Sequence, residues 1–483
     1  MRGYEKLDAI ARSAATAGRA VFFSGVTVVL ALMGMFIMPN TLFRSLATGA
    51  IVVVLFAVLA STTLLPAVLA LLGDRINLLR VRGRASLENV DKVGGMWDRI
   101  TRTVMARPVT FLAAGVAFMA VIGISFVSLE TGFGGVSALP EDSQAFEGFK
   151  ILEQNFPGGL TEPVEVVVDG TISSVVLAAI EELQTAMAAD GSFGPGTVEV
   201  NPTGDLAVLS APLIYGDTSS QAAVDAVQRL REEIIPSQFA GSDVEVLVGG
   251  FTAFTLDFFD DVDTFTPIVV AFVLGLSFLL LTVVFRSIIV PVKAILLNLL
   301  SVAAAYGMLV VFFQEGVGPE WVKDISAALG FRQVEAIEAW LPLMLFSVLF
   351  GLSMDYHVFL LTRIREAFDR TGSNSEAVAH GLRTTGAIIT GAALIMVAVF
   401  GGFAAGDLVA FQQMGFGLGV AVFLDASIIR SILVPASMRL LGDWNWYLPS
   451  WLGWLPELDI EGHEAAAAAH EHTVDRSRVE IEA

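Results

Sequence analysis

Leu341 to Glu366 reads LPLMLFSVLFGLSMDYHVFLLTRIRE. A bilayer crossing takes about 20 apolar residues, and Pro342 to Leu361 supplies such a run with Asp355 and Tyr356 inside it. An ionised Asp at that depth costs roughly 2.5–3.5 kcal/mol, so such a residue is kept where it faces a protein interior or a wet cavity and handles ions or protons. Asp355 is therefore the first candidate for a working residue, with Tyr356 beside it. Ser347, Gly351 and Asp355 recur at every fourth position and share one helix face with only a slow angular drift. Ser347 and Gly351 are small, which suits close helix packing next to the Asp. The run stops at Arg363, Arg365 and Glu366, which marks a cytoplasmic end by the positive-inside rule.

Composition extends this reading to the whole chain. Of 483 residues, 55% are hydrophobic and only 16% charged, the profile of a polytopic membrane protein. The absence of cysteine excludes disulfide and thiol-metal frameworks, and the five His have no metal-ligand spacing. Neither a metal nor a cofactor is expected. The net charge of -21 is concentrated in one segment, Glu130 to Asp261, which holds 22 acidic residues and three basic ones. That surface argues against nucleic acid as a partner.

In chain order, a basic first stretch leads to spans at about Ala20–Met38 and Leu46–Leu72, and residues 73–108 form an arginine-rich cytoplasmic linker. A third span at 109–129 leads outside. Residues 130–261 alternate strand-like runs (Pro163–Asp169, Asp205–Leu213, Asp243–Val248) with helical periodicity at Ser173–Ala189 and Ser219–Ile235, punctuated by Gly158-Gly159 and Gly194-Pro195-Gly196. The order predicts an extracytoplasmic α+β domain of ferredoxin-like, split βαβ type. Residues 262–441 supply five more spans, with an amphipathic outer segment at Gly316–Trp340 and a cytoplasmic helix over 370–385. Residues 442–483 form a cytoplasmic tail, expected to be disordered after 458. The fold expected is thus a polytopic α-helical membrane protein of about eight transmembrane helices with one outer domain and both termini cytoplasmic.

An internal repeat links the two ends of the chain. Asp8–Ala20 aligns with Glu376–Ile388 at an offset of 368, while Pro66-Ala67 and Leu71–Asp74 align with Pro435-Ala436 and Leu440–Asp443 at 369. The last span carries Asp425 and Arg430; the aligned positions in the first copy are Phe56 and Ser61. Five residues of α-helix separate the two charges by about 140°, which would aim Arg430 at a neighbouring helix. A buried carboxylate exchanging between arginine-paired and protonated forms has the shifted affinity a coupling site needs.

The segments GLSMDYHVFLLTRIREA (351–367), EAVAHGLRTTGAIITGAALIM (376–396) and FLDASIIRSILVPASMRLLGDWNW (423–446) resemble the MMPL family of lipid and drug exporters in the resistance-nodulation-division superfamily. The resemblance covers nearly the whole chain and implies a proton-motive-force-driven exporter of lipidic or hydrophobic compounds in the cell membrane, not an enzyme, with the outer domain as its porter domain. It implies a proton relay of Asp355, Tyr356, Asp425 and Arg430. Members have twelve spans in two pseudo-symmetric halves; this sequence matches the last two spans of one half and all of the second. The expectation is that a separately encoded N-terminal half or a homo-oligomer completes the unit, or that the chain is an inactive fragment. Two other readings stay open: a sterol-sensing-like lipid-binding module that does not pump, and an intramembrane aspartyl protease, which the missing GxGD pattern disfavours.

Overall fold

A computed structural model of the chain describes residues 6–73, 75, 96–134, 139–140, 142–155, 162–215, 218 and 220–456. Most of the 73–108 linker, Gly158-Gly159 and the tail beyond 456 lie outside the described residues, as does the side chain of Asp355.

The chain opens with α1 (Lys6–Met33), continued as a 3₁₀ turn to Ile37, and α2 (Thr41–Leu59), which runs through a π-helical segment (Ala60–Leu64) into α3 (Leu65–Leu72). Asn40 starts α2 as a cap, its side chain accepting from the Leu42 amide at 2.9 Å. Short α4 (Met96–Ala106) precedes α5 (Pro108–Gly123), whose proline at the first helical turn removes an amide that would have no partner. β1 (Thr131–Gly132) and α6 (Gln144–Asn155) lead into the α+β domain.

That domain runs β2 (Val164–Asp169), α7 (Ser174–Asp190), β3 (Thr197–Val200), β4 (Leu206–Ala211), α8 (Gln221–Arg229), a π turn, α9 (Ile235–Gln238) and β5 (Glu245–Gly249). Its sheet order is β3-β4-β2-β5 with every neighbour antiparallel, the split βαβ arrangement. In β2 the alternation sets the face: Val164, Val166 and Val168 are buried and Glu165 and Asp169 are exposed. The valines meet Ile180, Leu183 and Met187 of α7 and Val227 of α8 in one core, each large side chain contributing about 1.5–3 kcal/mol on burial. Ser173 and Ser220 cap α7 and α8.

The bundle resumes with α10 (Phe251–Phe285), α11 (Ile289–Phe313), short α12 (Glu320–Ala328), β6 (Ile337–Glu338), α13 (Leu341–Thr371), α14 (Asn374–Ala404), α15 (Val409–Leu424), a second π segment (Asp425–Leu433) and α16 (Val434–Leu441). Among the described residues, seven helices are long and apolar enough to cross a membrane, and an eighth apolar stretch, Val21–Ile37, is shorter. The boundary expected at 261 falls inside α10: Ala253 and Leu256 sit in the core of the α+β domain while Val269 and Val273 pack in the bundle. One helix therefore joins both cores. The helix expected over 370–385 is divided, because Gly372 at φ 66° ends α13 and Ser373 caps α14, which continues unbroken to Ala404.

β1 and β6 pair in parallel across more than 200 residues, so the path into the α+β domain is tied to the residues just before α13. Gln314 reinforces the tie, accepting from the Glu130 amide at 3.1 Å and donating to the Ser128 carbonyl at 2.9 Å. The Leu341 end of α13 therefore adjoins the domain, and its Thr371 end is the far end. α5 and α11 touch backbone to backbone: a Cβ at Gly307 would come within 2.2 Å of the Ile122 carbonyl oxygen.

Candidate functional site

α13 passes through the middle of the bundle, with α1 on one side and α14 on another. Gly351 faces α1, where a Cβ would lie 3.3 Å from Val28 Cα, and Ser347 is fully buried with its hydroxyl donating to the Leu343 carbonyl at 3.0 Å. Neither lines the polar cluster, which Ser353, Tyr356 and His357 build on the rest of the helix. Asp355 lies on the same turn, and its side chain is outside the described residues.

The other half of the cluster comes from the second π segment. Its i→i+5 bonding is visible where the Val434 amide donates to the Ile429 carbonyl, and the wider turn brings Asp425 and Arg430 together instead of 140° apart. Arg430 Nη2 and Nε donate to the same oxygen, Asp425 Oδ2, at 2.8 and 3.1 Å. Nη2 also donates to the Ser353 carbonyl at 2.6 Å, and the guanidinium carbon stands 4.6 Å from the centre of the Tyr356 ring, a cation-π contact. Arg430 thus reaches the neighbouring helix, as expected, but does so while bonded to its own helix, which was not.

Ser353 and Asn298 complete the arrangement. The Ser353 hydroxyl lies 2.8 Å from Asn298 Oδ1 and 3.1 Å from Asp425 Oδ2, with both as acceptors. A hydroxyl has one proton, so it serves one of them at a time. Beside the pair is a cavity of about 20 Å³ lined by Asn298, Ser301, Ser353, Tyr356 and Asp425, room for about one water. Asp425 Oδ1, Arg430 Nη1 and His357 Nε2 are buried without a hydrogen-bond partner among the described residues. With Arg430 only 1% exposed, this is a desolvated ion pair. Such a pair stabilises little, but loss of one partner costs about 3–5 kcal/mol.

Among the residues singled out from sequence, Tyr356, Asp425 and Arg430 come together, while Ser347 and Gly351 sit at a different helix contact. Sequence reasoning missed Ser353, Asn298 and Lys293. The last is a buried lysine on α11 whose Nζ has no hydrogen-bond partner among the described residues. The signal was available, since Asn298 and Lys293 interrupt an apolar run just as Asp355 does.

At the domain end of α13, Glu338 is also buried. Burial raises its carboxyl above the ordinary value, although the Gly134 amide and the Trp340 side chain bond to it and oppose the rise. Its own amide donates to Gln413 of α15 at 3.1 Å.

Several known proteins resemble the chain. It is 37% identical over 474 residues to "Mycolic acid-containing lipids exporter MmpL11" of Mycolicibacterium smegmatis, covering 95% of this chain and 48% of that protein. "Heme uptake protein MmpL11" of Mycobacterium tuberculosis strain H37Rv is 37% identical, with 94% of this chain and 46% of that one covered. "Membrane protein YdfJ" of Bacillus subtilis is 31% identical, with 96% and 62% covered. The chain spans about half the length of the two MmpL11 proteins. The model of the MMPL family matches residues 1–111 and 137–454. With that match over most of its length, this multi-pass membrane protein belongs to the MMPL family.

Proposed function

We propose that the chain works as a proton-coupled exporter of lipidic or hydrophobic compounds in the cell membrane, with both termini cytoplasmic, and that Asp355, Tyr356, Asp425 and Arg430 form its proton relay. The observation that carries this reading is the buried Asp425–Arg430 pair bonded to the Ser353 carbonyl of α13. When Asp425 takes a proton, its bond to Arg430 weakens, its own hydroxyl becomes a donor, and the Ser353 hydroxyl turns to Asn298. The contact between α13 and the π segment then has two arrangements. A proton moved down 100 mV releases about 2.3 kcal/mol, enough to bias such a two-state packing. The names of two relatives, a lipid exporter and a heme uptake protein, support a large apolar cargo; the lipid exporter supports the outward direction.

Transport of a fluorescent lipid by proteoliposomes under an imposed pH gradient tests the relay. Asp355→Asn and Asp425→Asn should each abolish gradient-driven movement. Parent-rate transport by either variant removes that residue from the relay. Lipid binding that survives both variants and ignores the gradient favours a sterol-sensing-like module instead. Because the sequence has no cysteine, single cysteines placed at Arg370 and Asp169 report the topology directly: only the Asp169 position should react with an impermeant thiol reagent added outside cells.

A further inference from the structure

At the end of the bundle remote from the α+β domain, α13 and α14 enclose a partly open cavity of about 470 Å³ lined by Phe359, Arg363, Arg370, His380, Thr384 and Ile388, among others. Arg363 stands 22 residues beyond Leu341, about 33 Å along the helix, which is one bilayer core thickness from the domain side. The cavity is thus at the depth of the headgroups of the opposite leaflet. It lies outside the Asp425 cluster and shares no lining residue with the cavity there.

Three features indicate the occupant. Arg363 is tied to Glu366, also in the lining, at 3.1 Å, whereas Arg370 is exposed and has no ion-pair partner among the described residues. One arginine fork is therefore available to an anion, and its planar geometry matches phosphate. Thr384 also lines the cavity, its hydroxyl 3.0 and 3.1 Å from the carbonyls of His380 and Gly381, which share its one proton and leave an acceptor side open. The third feature is apolar: Ile388 in the lining is 57% exposed, and Ile395 and Val399, 68% and 56% exposed, fall within about 20° of it around α14. That strip runs from the mouth of the cavity into the bilayer interior, where an acyl chain would lie.

We propose that this cavity binds the phosphate-bearing headgroup of an anionic membrane lipid from the leaflet opposite the α+β domain, with an acyl chain along Ile388, Ile395 and Val399. Basic pockets between membrane helices recognise such headgroups by general electrostatics. The volume is within the usual range for ligand sites and far exceeds a free phosphate. This site does not rest on the relay reading, and its test uses no transport measurement.

The test uses the full chain in nanodiscs of equal phosphatidylglycerol and phosphatidylcholine, with retained lipid counted by native mass spectrometry. Selective retention of phosphatidylglycerol is expected, weakened about fivefold in Arg370→Ala and partly restored in Arg370→Lys. Arg365→Ala is the control: that arginine pairs with Asp369 and lies over Trp446, and it does not line the cavity. Equal losses in Arg365→Ala and Arg370→Ala would mean a diffuse basic surface and overturn the proposal. So would retention insensitive to Ile388→Ser together with full displacement by millimolar inorganic phosphate, which identifies a free-anion site. Thr384→Trp, which fills the cavity, gives a second reading should Arg370→Ala melt early; undiminished retention there also overturns the proposal.

Discussion

Residues 6–72 and 374–441 are two copies of one helical pair, and they break in the same places. A π segment ends at Leu64 in the first copy and at Leu433 in the second, each followed two residues later by a proline, Pro66 and Pro435. Each copy then stops on a glycine in nearly the same conformation, Gly73 at φ 50°, ψ -129° and Gly442 at φ 53°, ψ -132°. Proline lacks an amide and crowds the carbonyl four residues back, so the chain widens ahead of it. What differs is the surroundings. The most apolar window of Thr41–Leu72 has no buried residue, against 72% buried in Val409–Trp446, and Phe56 is 68% exposed where its counterpart Asp425 is 6% exposed. The wide turn belongs to the backbone in both copies. A charged pair occupies it only where α13 and α11 supply bonding partners.

Arg430→Met should break the comparison most sharply. It leaves Asp425 buried and unpaired, at a cost of about 3–5 kcal/mol in unfolding free energy, whereas Ser61→Ala at the aligned position should stay within about 0.5 kcal/mol. Equal effects would show that the pair is not desolvated. Replacing both charges, as Asp425→Leu with Arg430→Met, should recover most of that loss, because an apolar pair needs no compensation. Transport should remain absent in the double variant, and recovery of both properties would reduce the pair to structural glue.

The two glycines test whether the backbones are equivalent. Gly73→Ala and Gly442→Ala force a side chain into a conformation few L-residues adopt and should each cost about 1–3 kcal/mol. Similar losses in thermal melts sharpen the repeat; a loss confined to Gly442→Ala breaks it.

The smallest effect concerns Glu338, which attaches to the last pair through Gln413. Its carboxyl is raised in the folded state, so its contribution is complete below the ordinary glutamate value of about 4.3 and is lost as pH rises through the raised value. Glu338→Gln should therefore remove a decline in melting temperature above that value while leaving acid stability nearly unchanged. A parallel decline in the variant would assign the pH dependence elsewhere.

Much of this architecture was legible in the residues. Long apolar runs identify membrane helices because lipid offers the backbone no partners, and the valines of β2 declare which face is buried. Asp355, Asp425 and Arg430 stood out because charge is expensive at that depth. The contact between Asp425 and Arg430 was not legible, since an α-helical count separates them and only the π turn reunites them. The β1–β6 pairing was equally hidden, each strand being two residues long with its partner more than 200 residues away. The continuity of α10 was obscured by Asp257, Asp260 and Asp261, which read as the edge of the outer domain although the helix runs through them.

Composition and periodicity decided that the chain is a helical membrane protein with an α+β domain, because transfer out of water and side-chain alternation are local and additive. Packing decided that Arg430 holds Asp425 and the Ser353 carbonyl together, that Ser353 has two acceptors for one proton, and that an arginine-lined cavity opens between α13 and α14. Each of these depends on which distant helix lies alongside, and a buried charge acquires its chemistry from neighbours that residue spacing cannot name.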